Sequence, residues 1–271
     1  MGKNHHPTKT ITNNFLSLSF CGSIIFLAAT FLFWNPHNDL QKTDFQSLKN
    51  SNTRTQLPRG TFFDITKAEK TIVAVGEHGQ VFYSRNEGKA WIKGETPIDL
   101  SLTSVYLLND NLGWAAGYDG VILKTVDGGV NWEILKNPSL VNPPLFSIWF
   151  KNEMTGLAVG ADSLIYRTID GGINWNLFKL DIQTHLYSLV ETNDGTLWIA
   201  GDNHALFLSH DLGLTWRKMQ PPFPTSFFKV IPLSDKVITC GLRGRFSMWN
   251  STGLEESQIV SDENLLSALQ L

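Results

Sequence analysis

T-V-D-G-G-V-N-W, residues 125–132, decides the fold, because the chain repeats it. TIDGGINW occupies residues 168–175, SHDLGLTW residues 209–216 and SRNEGKAW residues 84–91, so the starts are spaced by 41, 43 and 41 residues. The shared form is Ser/Thr-x-Asp-x-Gly-x-x-Trp. It is carried by Ser84, Asn86, Gly88 and Trp91; by Thr125, Asp127, Gly129 and Trp132; by Thr168, Asp170, Gly172 and Trp175; and by Ser209, Asp211, Gly213 and Trp216. A glycine precedes each copy by eight residues (Gly76, Gly117, Gly160, Gly201), and Gly241 continues that series. A fixed period near 40 residues is the mark of a repeat architecture of propeller blades.

The motif is turn chemistry. A short hydroxyl and a carboxylate hydrogen-bond the backbone of their own turn, glycine supplies a positive φ, and the tryptophan has the area to fill a gap between neighbouring sheets. Four strands are expected in each unit. The second strands (TIVAVG, GWAAG, GLAVG, LWIAG, KVITCG) are short apolar runs suited to burial on both faces. The fold class predicted is all-β: a β-propeller of five clear four-stranded units plus a partial sixth, preceded by one transmembrane helix. In the fifth unit WNSTG (residues 249–253) stands where the motif should be, and LLSALQL (residues 265–271) has the look of a further first strand.

The motif copies resemble the Asp-box, or BNR, repeat of sialidases, sortilin-type receptors and xyloglucanases. With their flanks, as in GWAAGYDGVILKTVDGGVNW and GLAVGADSLIYRTIDGGINW, they resemble the photosystem II stability/assembly factor-like β-propellers over residues 61–258. The resemblance implies a protein that assists assembly of a membrane complex through an arginine-bearing surface. Here Arg243 and Arg245 are the arginines that cluster in sequence.

Before the repeats, residues 15–34 carry no charge over 20 residues. At about 1.5 Å per residue a helix of that length spans about 30 Å, the thickness of a bilayer core. Lys3 and Lys9 precede it and Asp39 and Asp44 follow, which orients the N-terminus to the cytoplasm. The expected layout is a cytoplasmic N-terminus (1–14), a signal anchor (15–34), a linker (35–60) and a propeller (61–271) on the periplasmic side of the inner membrane. A cleaved signal peptide is the alternative, but no small-residue cleavage motif follows the apolar stretch.

Composition narrows the function. With 22 Lys and Arg against 25 Asp and Glu, the net charge of −3 excludes the basic footprint of a nucleic-acid binder. The two cysteines, Cys21 and Cys240, lie too far apart in kind for a disulfide framework, and no metal-ligand spacing exists. No cofactor and no metal is expected. Binding candidates lie in the turns between second and third strands: Glu77 and His78, Asp119, Asp162, Asp202, then Arg243 and Arg245. Glu77, Asp119, Asp162 and Asp202 read as an arc of carboxylates, although the same residue types are what tight turns select. Between units, Phe223 in its proline run is the expected exposed contact for a protein partner, whereas Phe146, Trp149 and Phe227 are expected in the core. His185, Tyr187 and Phe228 are further candidates.

A sialidase would need three arginines around one substrate carboxylate. Arg85 and Arg167 fall beside motif turns, on the wrong side for a shared site with Arg243. The expected function is therefore a non-catalytic, membrane-anchored platform for a membrane or envelope complex. The alternative is a glycosidase using a pair such as Glu77 and Asp119, or a glycan or peptide receptor.

Overall fold

The computed structural model describes residues 60–135 and 143–259. The predicted anchor, the linker up to residue 59 and the LLSALQL strand lie outside them. Among the described residues no helix is long and apolar enough to cross a membrane.

Those residues form five four-stranded antiparallel sheets, an all-β arrangement consistent with a propeller. The first sheet is β1 (Phe62–Lys67), β2 (Ile72–Gly76), β3 (Val81–Ser84) and β4 (Ile92–Lys93). The second is β5 (Leu102–Leu107), β6 (Gly113–Gly117), β7 (Ile122–Thr125) and β8 (Glu133–Ile134). The third is β9 (Leu145–Phe150), β10 (Gly156–Gly160), β11 (Leu164–Thr168) and β12 (Asn176–Lys179). The fourth is β13 (Leu186–Glu191), β14 (Leu197–Gly201), β15 (Leu206–Ser209) and β16 (Arg217–Lys218). The fifth is β17 (Phe227–Pro232), β18 (Lys236–Gly241), β19 (Arg245–Asn250) and β20 (Gly253–Ile259). Each sheet is a meander in chain order.

Second strands of the second to fourth sheets are buried on both faces because each of those sheets lies between neighbours. In β6, Ala115 packs with Val73 and Val75 of the sheet before, while Trp114 and Ala116 pack with Ile148 and Ala158 of the sheet after. The same alternation builds two further clusters, joining the third sheet to the fourth and the fourth to the fifth. Among the described residues none of these clusters joins the fifth sheet to the first.

The turn motifs behave as the sequence predicts. Thr125 Oγ1 donates to Asp127 Oδ1 (2.9 Å) and accepts from Gly129 N–H (3.0 Å), and Asp127 Oδ1 accepts from Asn131 N–H (2.9 Å). The copies at Ser84, Thr168 and Ser209 repeat this pattern. The motif tryptophan packs against the sheet before its own: Trp132 and Trp175 are buried at the first two junctions and Trp216 lies against the third. Trp91, which has no described sheet before it, is half-buried. In the fifth sheet a two-residue hairpin replaces the motif, and Asn250 Oδ1 accepts from the N–H groups of Thr252 (2.8 Å) and Gly253 (3.0 Å).

Two series of hydrogen bonds tie sheet to sheet. A side chain on the first strand of each of the first four sheets accepts an N–H from the next first strand: Asp64 from Val105 (2.9 Å), Ser104 from Ile148 (3.2 Å), Ser147 from Leu189 (3.1 Å) and Ser188 from Val230 (3.1 Å). Lys229 holds this register position in the fifth sheet, pairing Cys240 as Ser188 pairs Ala200, and an ammonium cannot accept. Beside the motif turns, Arg85 donates to Asp127 O (2.7 Å), Arg167 to Leu212 O (3.0 Å) and Arg217 to Ser251 O. These arginines are clamps between sheets, which accounts for them without a substrate carboxylate. Cys240 is buried, and burial pushes its thiol up to about 12.

Two outcomes check this account. Ser188→Ala leaves the buried Val230 N–H without its acceptor and is expected to cost about 1–3 kcal/mol in chemical denaturation. Asp211 is held down to about 2, first by the Thr215 hydroxyl against partial burial, with the Thr215 N–H and Ser209 hydroxyl adding to it. A carboxylate lowered on folding stabilises fully above its ordinary range near 3.8 and loses that contribution as pH falls toward 2. Melting curves of wild type and Asp211→Ala should therefore differ at neutral pH and converge in acid.

Candidate functional site

Opposite the motif turns, one local geometry recurs in every sheet. The second strand ends on a glycine, and the N–H that follows donates to the carbonyl just before the first strand: Glu77 to Thr61 (3.0 Å), Tyr118 to Ser101 (3.0 Å), Ala161 to Pro144 (3.0 Å), Asp202 to His185 (3.1 Å) and Leu242 to Ser226 (3.1 Å). The approach is so close that a Cβ on Gly201 would sit 2.1 Å from His185 O, and one on Gly241 would sit 1.9 Å from Ser226 O. Only glycine fits there. The chain next makes a tight turn whose tip residue lies in the left-handed region: His78, Asp119, Asp162, Asn203 and Arg243, all with φ between 48° and 56°.

The second consequence falls on the first strand. Its pairing slips by one residue immediately after the position opposite the glycine, between Phe62 and Asp64, Leu102 and Ser104, Leu186 and Ser188, and Phe227 and Lys229. In the third sheet the slip falls between Leu145 and Ser147. The unpaired residues are Phe63, Thr103, Phe146, Tyr187 and Phe228. A bulge re-aims the side chain of its extra residue, here out of the sheet-to-sheet core. Four of the five are aromatic.

In the third to fifth sheets these side chains meet. Phe146 and Tyr187 have ring centroids 5.5 Å apart, and Tyr187 and Phe228 are 5.8 Å apart. His185 lies 6.3 Å from both Phe146 and Tyr187. All three bulge rings are half-buried, and His185 is exposed. A continuous row of half-buried aromatic rings thus crosses three sheets. Trp149 and Phe227 are core, as expected, but Phe146 is not: the bulge breaks the strict in–out alternation on which that expectation rested. The first-strand doublets Leu145-Phe146, Leu186-Tyr187 and Phe227-Phe228 are the sequence signal for the row, and Phe62-Phe63 is the same doublet in the first sheet.

The row has acidic flanks. Asp202 Oδ1 accepts from His185 N–H (2.7 Å) and from the Thr184 hydroxyl, and Tyr187 OH donates to Oδ2 at 3.4 Å. Burial first, and then this carboxylate, raise the Tyr187 phenol above its ordinary value. Asp162 N–H donates to His185 Nδ1 (3.3 Å) from the turn Ala161–Ser163, which packs against β13. The turn holding Asp119 packs likewise against β9.

The sequence-predicted residues are only partly brought together. Asp162 and Asp202 flank the row. The expected single arc of carboxylates is out of register: Glu77 and Asp202 take the first position of their turns, Asp119 and Asp162 the left-handed tip. His78 pairs with Asp99 (3.3 Å) in the first sheet's turn, away from the row. Phe223 is half-buried and lies beneath the Arg245 guanidinium, 3.9 Å from its ring centroid, while Arg245 also donates to Ser257 Oγ (3.0 Å). Arg243 occupies the left-handed tip of the fifth turn. No group of three or more His, Cys, Asp or Glu suited to a metal occurs among the described residues.

Residues 129–236 match the family model described as photosynthesis system II assembly factor YCF48, the family that the motif flanks indicate. No curated protein matches the chain. Among solved structures it is similar to one described as YCF48 bound to D1 peptide, at 18% identity and a TM-score of 0.62, over 76% of this chain and 69% of that one. It is similar to YCF48 from Cyanidioschyzon merolae at 21% identity and a TM-score of 0.58, over 77% and 73%. An ancestral GH74 enzyme aligns at 15% identity and a TM-score of 0.61, over 75% of this chain and 32% of that one. At these identities the structural likeness is one of fold.

Gly201→Ala tests the origin of the row. It is expected to destabilise by about 3 kcal/mol, at the upper end of overpacking costs because the clash is with backbone, and to perturb the near-ultraviolet signal of Tyr187.

Proposed function

We propose that this protein is a non-catalytic interaction platform that helps assemble a membrane or envelope complex, and that a protein segment of its partner binds along Phe146, Tyr187 and Phe228. The observation that carries the reading is the row itself. Half-exposed aromatic rings held at fixed spacing by bulges combine large contact area with little entropy left to lose, which is the chemistry of a protein contact. The matched family supports an assembly role, and a structure of similar fold, YCF48, is described with a bound peptide.

The anchor belongs to the same reading. Residues 15–34 hold the chain in the inner membrane as a single pass, N-terminus in the cytoplasm, with the sheets on the periplasmic side beside their partner. Catalysis has less in its favour. Glu77 and Asp119 sit at unlike positions of turns in different sheets, and the arginines a sialidase would need at one site are engaged between sheets.

Alkaline carbonate washing of membranes tests the anchor: full-length protein should stay in the pellet, and recovery in the supernatant would contradict a spanning segment. Affinity purification from detergent-solubilised membranes tests the platform. Wild type is expected to bring down a membrane complex of defined composition, and Tyr187→Ala/Phe228→Ala, folded by its melting curve, is expected to lose it. Equal recovery by both would sink the row as the contact.

A further inference from the structure

The reading of the row as a protein contact leaves the chemistry of the bound segment open. We propose that it is cationic: an extended stretch of the partner that lays arginine or lysine side chains over Phe146, Tyr187 and Phe228 and against the carboxylates of Asp162 and Asp202. The inference rests on the row being a protein contact and adds the class of its ligand.

Three features carry it. The faces of Phe and Tyr rings bear negative potential and attract a cation placed within about 6 Å of the centroid. The three rings form a stepped row at 5.5 and 5.8 Å intervals, each ring half-buried and so retaining accessible area. The carboxylate of Asp202 stands beside the middle ring. Asp202 uses Oδ1 on the His185 N–H and the Thr184 hydroxyl, while among the described residues Oδ2 has a single long bond, from Tyr187 at 3.4 Å. Asp162 and Asp119, both exposed at the left-handed tips of turns that pack on the neighbouring first strands, extend the negative edge.

The balance of charge along the row is one-sided. The turns YDG (118–120), ADS (161–163) and DNH (202–204) contain three aspartates and no lysine or arginine. Positive charge at this end belongs to the fifth sheet, with Lys229 next to Phe228 on β17, Arg243 in its turn, and Arg245 engaged over Phe223. An acidic segment would desolvate beside like charge over most of the row, whereas a basic one meets opposite charge and ring faces together. Arg245 on Phe223, at 3.9 Å, is the same pairing made within the chain.

The test is fluorescence anisotropy with full-length protein in detergent and a labelled peptide of arginine, leucine and glycine. Its twin carries glutamate at each arginine, and a xyloglucan oligosaccharide serves as competitor. Asp119→Asn/Asp162→Asn removes two charges while keeping a residue that tolerates positive φ, so the turns survive. The basic peptide should bind at least about tenfold tighter than its twin and weaken as salt rises. The double Asn variant should bind it about threefold to tenfold less tightly, and Tyr187→Ala/Phe228→Ala at least about tenfold less. Equal binding of both peptides, lost in the Tyr187/Phe228 variant, would overturn the cationic class and leave the row standing as a contact. Basic-peptide binding indifferent to that variant, or no binding at all, would overturn the proposed site. Displacement of the peptide by the oligosaccharide would point to a glycan platform and overturn both readings.

Discussion

The structure depends on one close approach: the glycine at the end of each second strand lies against the carbonyl that leads into the first. With a Cβ–oxygen distance of about 2 Å at Gly76, Gly117, Gly160, Gly201 and Gly241, no side chain is tolerated. The contact accepts the N–H of the turn that follows, shifts the first strand by one residue and so creates the bulge. A backbone requirement that serves the fold therefore also decides which side chain is turned out of the core. Where that side chain is aromatic, in the third to fifth sheets, a row forms; where it is Thr103, the hydroxyl instead donates to Leu145 O of the next sheet.

The two ends of the sheets divide the labour. The motif turns hydrogen-bond within themselves, and each arginine clamp donates to a carbonyl of the next sheet. Burial works against the carboxylates of Asp127 and Asp170, yet the hydrogen bonds from Asn131 and Thr125, and from Asn174 and Thr168, still hold them below the ordinary range. Such groups are committed to stability. At the other end the rings of Phe146, Tyr187 and Phe228 keep exposed area, and among the described residues Asp202 Oδ2 has a single long bond. The proposed contact at the bulge end rests on that row; the motif turns for their part expose the apolar side chains Val126, Ile169, Ile173 and Leu214.

Much of this was legible in the sequence, for reasons that can be named. Spacing of the Asp/Gly/Trp motif set the repeat, and unbroken runs such as GLAVG announced strands buried on both faces. The glycine series 76, 117, 160, 201 and 241 marked the turns. The row was half-legible: Tyr187 and Phe228 were noticed as candidates, but Phe146 was grouped with Trp149 and Phe227 because simple alternation puts residues of one strand on fixed faces. Alternation fails at a bulge, and the bulge arises from contact with a glycine some 15 residues further on, which no local pattern reveals. The carboxylates of the turns are not equivalent: Glu77 and Asp202 directly follow the strand-ending glycine and Asp119 and Asp162 stand one residue later, a difference legible in the spacing, and the backbone puts Asp119 and Asp162 in the left-handed region.

The most direct measurement is site-specific photocrosslinking in living cells. A photoreactive phenylalanine analogue replaces Phe146, Phe228 or, at the opposite end, the exposed Ile169 and Leu214, one position at a time. The account predicts the same single crosslinked protein from Phe146 and Phe228 and none from Ile169 or Leu214. A crosslink from the motif-turn positions, with the row silent, would contradict it.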